Sequence, residues 1–171
     1  MAKKNLKYYI PGAIALVFGI AAFCMMFLTA ITYTGNNLGS KIEVSGMLLT
    51  FGGDLKISDL SSVMFPIKHF GFNFMMFLAF ILPLIGGVLA LVFKNGLITK
   101  IVTTACFVAS AVFLFCAGAF SNIGLEEGIA EQLADGFYSV GLGAGTIVGG
   151  ILSVLGAFVC LFKGTIAKAI K

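Results

Sequence analysis

Glu127, Glu131 and Asp135 recur at four-residue intervals, so on a helix the three carboxylates would share one face. An oxygen-rich stripe of this kind can approach a divalent cation or meet a basic partner, since calcium prefers carboxylate ligands. The spacing is not that of an EF-hand loop, and like charges at i, i+4 repel. The stripe is therefore read as a solvated acidic face and a candidate outer contact surface. The other residues capable of chemistry are scattered. Thr103, Thr104 and Ser110 carry hydroxyls, Cys24, Cys106, Cys116 and Cys160 carry thiols, and His69 is the one histidine. None of them falls in a nucleophile, metal-ligand or phosphate-loop motif, so no catalytic, cofactor-binding or metal residue is assigned, and the chain is expected not to be an enzyme.

The elements that carry these residues are apolar. Hydrophobic residues make up 60% of the 171, and they concentrate near residues 8–33, 70–93, 98–120 and 137–162, each long enough to cross a bilayer at about 20 residues per span. The expected fold is an all-α membrane protein, a four-transmembrane-helix bundle forming a single membrane domain over residues 1–171. Two outer segments, 34–69 and 121–136, and an inner link, 94–100, join the spans. No span carries an ionisable side chain, which excludes the usual proton relays, ion-coupled transport and voltage sensing.

Charge sets the expected orientation. Lys3, Lys4, Lys7, Lys94, Lys100, Lys163, Lys168 and Lys171 flank the spans on one side, and all seven acids fall on the other. By the positive-inside rule both termini are cytoplasmic, in a multi-pass cell-membrane protein. The net charge of +4 lies in juxtamembrane clusters that meet lipid headgroups, so the partner implied is the lipid bilayer and not nucleic acid. Lys3 to Lys7 followed by an apolar run imitates a secretory signal, but the run is too long and lacks a small-residue cleavage site, so it is read as a retained anchor. Arginine and tryptophan are absent, a composition compatible with an AT-rich bacterial genome. The cysteines lie in apolar stretches and are read as packing residues, with acylation of Cys160 as the alternative.

The first outer segment carries pattern. Lys41 to Ser45 alternates polar and β-branched residues, Met47 to Phe51 continues extended, and Gly52-Gly53-Asp54 offers a turn before Leu55 to Ser58 alternates again. This predicts an antiparallel β-hairpin, followed by a short helical turn capped at Ser58 or Asp59 and stopped before Pro66. In the second, Leu125, Ile129 and Leu133 beside the acidic stripe predict a short amphipathic helix. Together they make a small extracellular β-hairpin and short-helix cap.

Within the spans, Gly12, Ala15, Gly19 and Ala22 line the first, while Gly141, Gly145, Gly149 and Ser153 repeat every four residues on the fourth. Small residues let membrane helices approach closely, so both stripes are read as bundle seams, with a seam between copies as the alternative. Phe70, Phe72, Phe74, Phe77 and Phe80 crowd one end of the second span, as interface anchors or as knobs of a lateral contact between copies. Pro83 predicts a kink, with Gly86 and Gly87 leaving room beside it.

Four spans, both ends inside, a long patterned first outer segment, a shorter second one and a tight inner link resemble the claudin-like tetraspan superfamily over the whole chain. Ser45-Gly46-Met47-Leu48 is the segment that corresponds to the family's outer signature, although the signature tryptophan and the two outer cysteines have no counterpart here. The resemblance implies a left-handed four-helix bundle capped by a small sheet, acting as a structural protein that associates laterally or as an accessory subunit. The expected function is thus a non-enzymatic scaffold or accessory subunit, a homo-oligomer or a member of a larger membrane complex. The alternative is a small channel or transport subunit with a pore between copies, lined by Thr103, Thr104 and Ser110.

Overall fold

The structure, a computed structural model, describes residues 2–35, 41–54, 69–93, 96–123, 125 and 138–169. Its helices are α1 (Ala2–Cys24), α2 (Gly46–Phe51), α3 (Phe74–Val92), α4 (Leu97–Phe115), α5 (Ala144–Leu161) and α6 (Lys163–Ala169). Of these, α1, α3, α4 and α5 are long and apolar enough to cross a membrane. Their outward faces keep large apolar chains exposed, among them Val17, Ile85, Ile101 and Ile151. A helix that is apolar on all sides belongs in lipid. The chain is a multi-pass membrane protein.

The four helices form a ring in which α1 packs on α3 and α5, and α4 packs on the same two. Neighbours run antiparallel, since Gly12 lies against Ala90 while Gly19 lies against Pro83. The short link from Val92 to Leu97 leaves no chain for a crossover and fixes α3 and α4 as antiparallel neighbours. One apolar core, built around Ala15, Ala90, Phe107, Ala157 and Cys160, fills the end of the ring near Lys163. A second, around Met26, Ile31, Tyr33, Val44, Leu49, Phe70, Met76, Phe80 and Leu114, joins the opposite end to a sheet.

That sheet consists of β1 (Thr29–Gly35), β2 (Lys41–Ser45) and β5 (Tyr138–Leu142), antiparallel in the order β2-β1-β5. Tyr33 pairs with Ile42 on one side and Val140 on the other. An irregularity between Thr29 and Ile31 breaks the β1–β2 register, as a bulge does where a strand leaves its helix. Two residues each of β3 (Gly53–Asp54) and β4 (His69–Phe70) form a separate short pairing.

Several expectations are corrected. The first span stops at a 3-10 turn, Met25–Phe27, and the run assigned to its end becomes the central strand β1. The β-branched residues of Thr-Ala-Ile-Thr-Tyr-Thr prefer a strand once partners are available on both edges. Likewise the fourth span begins at Ala144, because Tyr138–Leu142 is strand β5, and α4 ends at Phe115 before a 3-10 turn at Ala117–Phe120. Among the described residues β2 pairs with β1, the strand before it in the chain. Met47 to Phe51 is helical, not extended: the Ser45 hydroxyl accepts from the Leu48 N–H at 3.3 Å and starts α2. Gly52 ends that helix at φ +79°, and a Cβ there would strike the Phe70 carbonyl oxygen, so the turn requires glycine. The expected strand over Leu55 to Ser58, the cap at Ser58 or Asp59, and the amphipathic helix with Glu127, Glu131 and Asp135 lie outside the described residues.

Candidate functional site

Polar side chains inside the ring are few, and Thr103, Ser110 and Ser153 each have a partner with a local cause, whereas the Thr104 hydroxyl has none. Pro83 has no N–H, so the Ala79 carbonyl four residues earlier loses its helical bond. The Ser110 hydroxyl, reaching across from α4, donates to that oxygen at 2.6 Å. Ser153 on α5 lies 3.1 Å from Ser110 and also donates to the Gly149 carbonyl at 2.9 Å. Three helices thus meet at the proline, with both hydroxyl residues fully buried. In lipid, where water cannot supply the missing bond, a neighbour's hydroxyl is the available substitute. Thr103 turns back on its own helix, donating to the Thr99 carbonyl at 2.8 Å.

At the sheet end the hub is Asn73. Its Oδ1 accepts from the Met76 N–H at 3.2 Å and caps α3, while its Nδ2 donates to the carbonyls of Phe120 at 2.8 Å and Ile123 at 3.2 Å. Its backbone N–H donates to the Thr50 carbonyl at 3.0 Å. One residue therefore ties α2, through its backbone, to α3 and the turn after α4, through its side chain. Nearby, the Thr146 hydroxyl joins α5 to β1 by donating to the Ala30 carbonyl at 2.9 Å. On the exposed edge of the sheet, Lys41 and Thr29 hold opposite oxygens of the Glu43 carboxylate, each at 3.1 Å, and keep its pKa below the ordinary value.

Tyr33, with no exposed surface, donates to the Ser121 carbonyl at 3.2 Å. Burial pushes its pKa up to about 12, only partly offset by hydrogen bonding at Ser121. Between pH 10 and 12 the unfolded chain's phenol ionises and the folded one does not, so stability falls as pH rises through that window. Absorbance titration should show one of the four tyrosines ionising only as the protein unfolds. The variant Tyr33→Phe should lose that late step and the stability change coupled to it.

At the other end, Lys163 is buried, 4% exposed, and its ammonium donates to the carbonyl of Ala90 and, at 3.2 Å, to that of Phe93. These are among the last carbonyls of α3, where a cation also suits the helix dipole. A lysine expected to face headgroups is an internal clasp between α3 and the start of α6. Burial pushes its pKa below the ordinary value, and the nearby charge of Lys100 adds to that direction.

No protein-family model matches the chain, and no curated protein is significantly similar to it.

The small-residue stripes are occupied within the chain. A Cβ on Gly12 would meet the backbone of Ala90 and Leu91, and one on Gly19 the backbone of Pro83 and Leu84. Ala15 lies opposite Gly87, whose Cβ would stand 3.2 Å from the Ala15 oxygen. Ala22 and Gly149 face each other, at 3.7 Å by the same measure, and Gly145 abuts Met25 and Thr29. Gly141 is the exception: it sits in β5 opposite Thr32 and belongs to no helical seam. The stripe read over Gly141, Gly145, Gly149 and Ser153 is therefore a helical one only from Gly145 onward.

Glu43, Asp54 and His69 all lie in the strand region, and His69 Nδ1 meets Asp54 Oδ1 at 2.9 Å at the surface. Among the described residues no group of three histidine, cysteine or acidic side chains could hold a metal. Sequence reasoning missed Asn73, Lys163 and the tie from Ser110 to Pro83. The first had a legible signal, an asparagine directly before an apolar run. The third had half of one, because a mid-span proline implies an orphaned carbonyl but not who satisfies it.

A different feature has no partner among the described residues. Around α2 and the start of α3, Met47, Phe51, Phe72 and Phe74 are each about half exposed. Phe51 and Phe72 lean on Phe77, with ring centroids 6.1 and 5.9 Å apart. Phe27 and Leu28, where α1 gives way to β1, are exposed as well.

Proposed function

We propose that this chain is a non-enzymatic membrane scaffold or accessory subunit that associates laterally, with copies of itself or with other membrane subunits, through the aromatic rim around α2. In this reading the sheet forms an extracellular cap, both termini and the link between α3 and α4 are cytoplasmic, and the whole chain acts as one membrane domain. The lysine asymmetry supports the orientation. The observation that carries the function is the rim itself: Phe51 and Phe72 stay half exposed beside a well-packed core, and aromatic knobs of this kind contribute roughly 0.5–1.5 kcal/mol per ring pair when another surface covers them. The resemblance to claudin-like tetraspan proteins, which implies lateral association under a small sheet, agrees with it. The alternative, a pore between copies lined by Thr103, Thr104 and Ser110, has less support, because the hydroxyls of Thr103 and Ser110 are donated to backbone carbonyls and that of Thr104 is buried.

The test is the mass of the complex carried from the native membrane into lipid nanodiscs. The wild-type chain should run as a discrete assembly, and Phe51→Ala with Phe72→Ala should release the single chain without changing its melting temperature. A wild-type monomer, or an assembly indifferent to both substitutions, would sink the proposal.

A further inference from the structure

A groove of about 360 Å³ runs between α4 and α5, lined by Thr104, Val108, Val112, Phe115, Phe158 and Leu161 among others. Its lining includes Ala111 and Ala157, buried small residues of the two helices, between larger residues on either side. The walls expose carbon alone. Even Thr104 contributes no polar surface, since its hydroxyl oxygen is buried without a hydrogen-bond partner. Such a channel accepts a flexible hydrocarbon chain and offers nothing to a polar ligand. Its volume, at about 30 Å³ for a water-sized group, accommodates on the order of twelve chain units.

Lys100 decides what the chain is attached to. It lies one turn before Thr104 on α4, about 6 Å nearer the lysine-rich end, and Lys100, Thr104, Val108, Ala111 and Phe115 follow one helical face. The described acids, Glu43 and Asp54, sit at the other end of the ring, so Lys100 has no carboxylate partner among the described residues. Lys163 adds positive charge nearby while its own donors are spent on α3 carbonyls. A cationic mouth above an apolar groove is complementary to an anionic amphiphile. A second copy fits worse: placed in the same orientation, it would bring its own Lys94, Lys100 and Lys163 to the same level.

We infer that the α4–α5 groove is a binding site for one anionic phospholipid, with an acyl chain lying along Thr104, Val108 and Phe115 and the phosphate held at Lys100. This does not rest on the lateral scaffold reading; a monomer can hold the lipid as well as an assembly can.

Native mass spectrometry of the full chain in neutral detergent, titrated in parallel with phosphatidylglycerol and phosphatidylcholine, tests it. One phosphatidylglycerol should bind about fivefold more tightly than phosphatidylcholine, the effect of one lysine on an anionic headgroup. Lys100→Gln should bring the two lipids to parity. Val108→Phe, which fills the groove from an exposed wall position, should remove the bound lipid of either kind; if that variant does not fold, Lys100→Gln alone decides. Equal affinity in the wild type, a preference that survives Lys100→Gln, or a dimer that Val108→Phe dissolves would each overturn the assignment.

Discussion

Gly19→Ala is expected to lower the melting temperature of the full chain by roughly 4–8 °C, while Gly149→Ala leaves it nearly unchanged. Both glycines read alike in sequence, as members of small-residue stripes, but their surroundings differ in kind. A methyl group on Gly19 would be driven into the Pro83 carbonyl oxygen and would stand 3.1 Å from the Pro83 carbonyl carbon. Backbone cannot rotate away as a side chain can. The α1–α3 spacing would have to widen, and with it the neighbouring contacts of Gly12 on Ala90 and of Gly87 on Leu16. Overpacking against backbone this close costs about 3 kcal/mol, the top of the usual range, the helix propensity gained offsets about 1 kcal/mol of it, and each remaining kcal/mol is worth about 2–4 °C in a chain of this size. At Gly149 the nearest atom to an added Cβ is a Leu114 methyl at 3.2 Å, which can turn, and the next is Met25 Cβ at 3.4 Å. The helix propensity gained from glycine to alanine, about 1 kcal/mol, offsets that crowding. Thermal unfolding of the two variants by circular dichroism in one detergent is the measurement; equal shifts would mean that α1 and α3 are not in backbone contact at this seam.

Asn73→Leu should cost more, about 3–5 kcal/mol, and lower the melting temperature by about 10 °C or more. The substitution keeps the number and branching of side-chain heavy atoms but strands three backbone groups at once: the Met76 N–H loses its cap, and the Phe120 and Ile123 carbonyls lose their donor. A lost cap costs about 0.5–2 kcal/mol, and each buried group left unpaired about 1–3 kcal/mol. Asn73 has no exposed surface through which water could replace the bonds. Asn73→Ser separates the contributions, because a serine can still cap α3 but cannot also reach both carbonyls. It should fall between the wild type and Asn73→Leu, and faster amide exchange at Met76 in the leucine variant alone would locate the cap. A leucine variant as stable as the wild type would show that the Asn73 side chain is not what joins α3 to the turn after α4.

The same contrast separates what could be read in the chain from what could not. The small residues of α1 were legible as a seam because packing in lipid favours them wherever helices meet. Which helix each would touch was not, since that depends on residues some seventy positions away. Ser110 was visible as a rare hydroxyl in an apolar run and was set down as a pore candidate. Its bond to the Ala79 carbonyl needs α3 and α4 in antiparallel register before it exists. Lys163 is the sharpest case: the charge was placed correctly at the end of a span, yet it points inward onto the end of α3 because the last carbonyls there have no N–H to meet.

By itself the sequence determined that four apolar stretches would be long and apolar enough to cross a membrane, and that Pro83 would leave one carbonyl of its helix without a helical bond. These follow from local and additive quantities: hydropathy summed over twenty residues and a missing N–H. Only the tertiary structure decided that Thr29 to Gly35 leaves the first span as a strand, that Met47 to Phe51 coils, and that Tyr138 to Leu142 joins a sheet rather than a helix. An apolar, β-branched run satisfies its backbone equally well along its own helix or across two partners. In this chain β1 becomes a strand because β2 and β5, from the segments after the first and third spans, arrive on both of its edges.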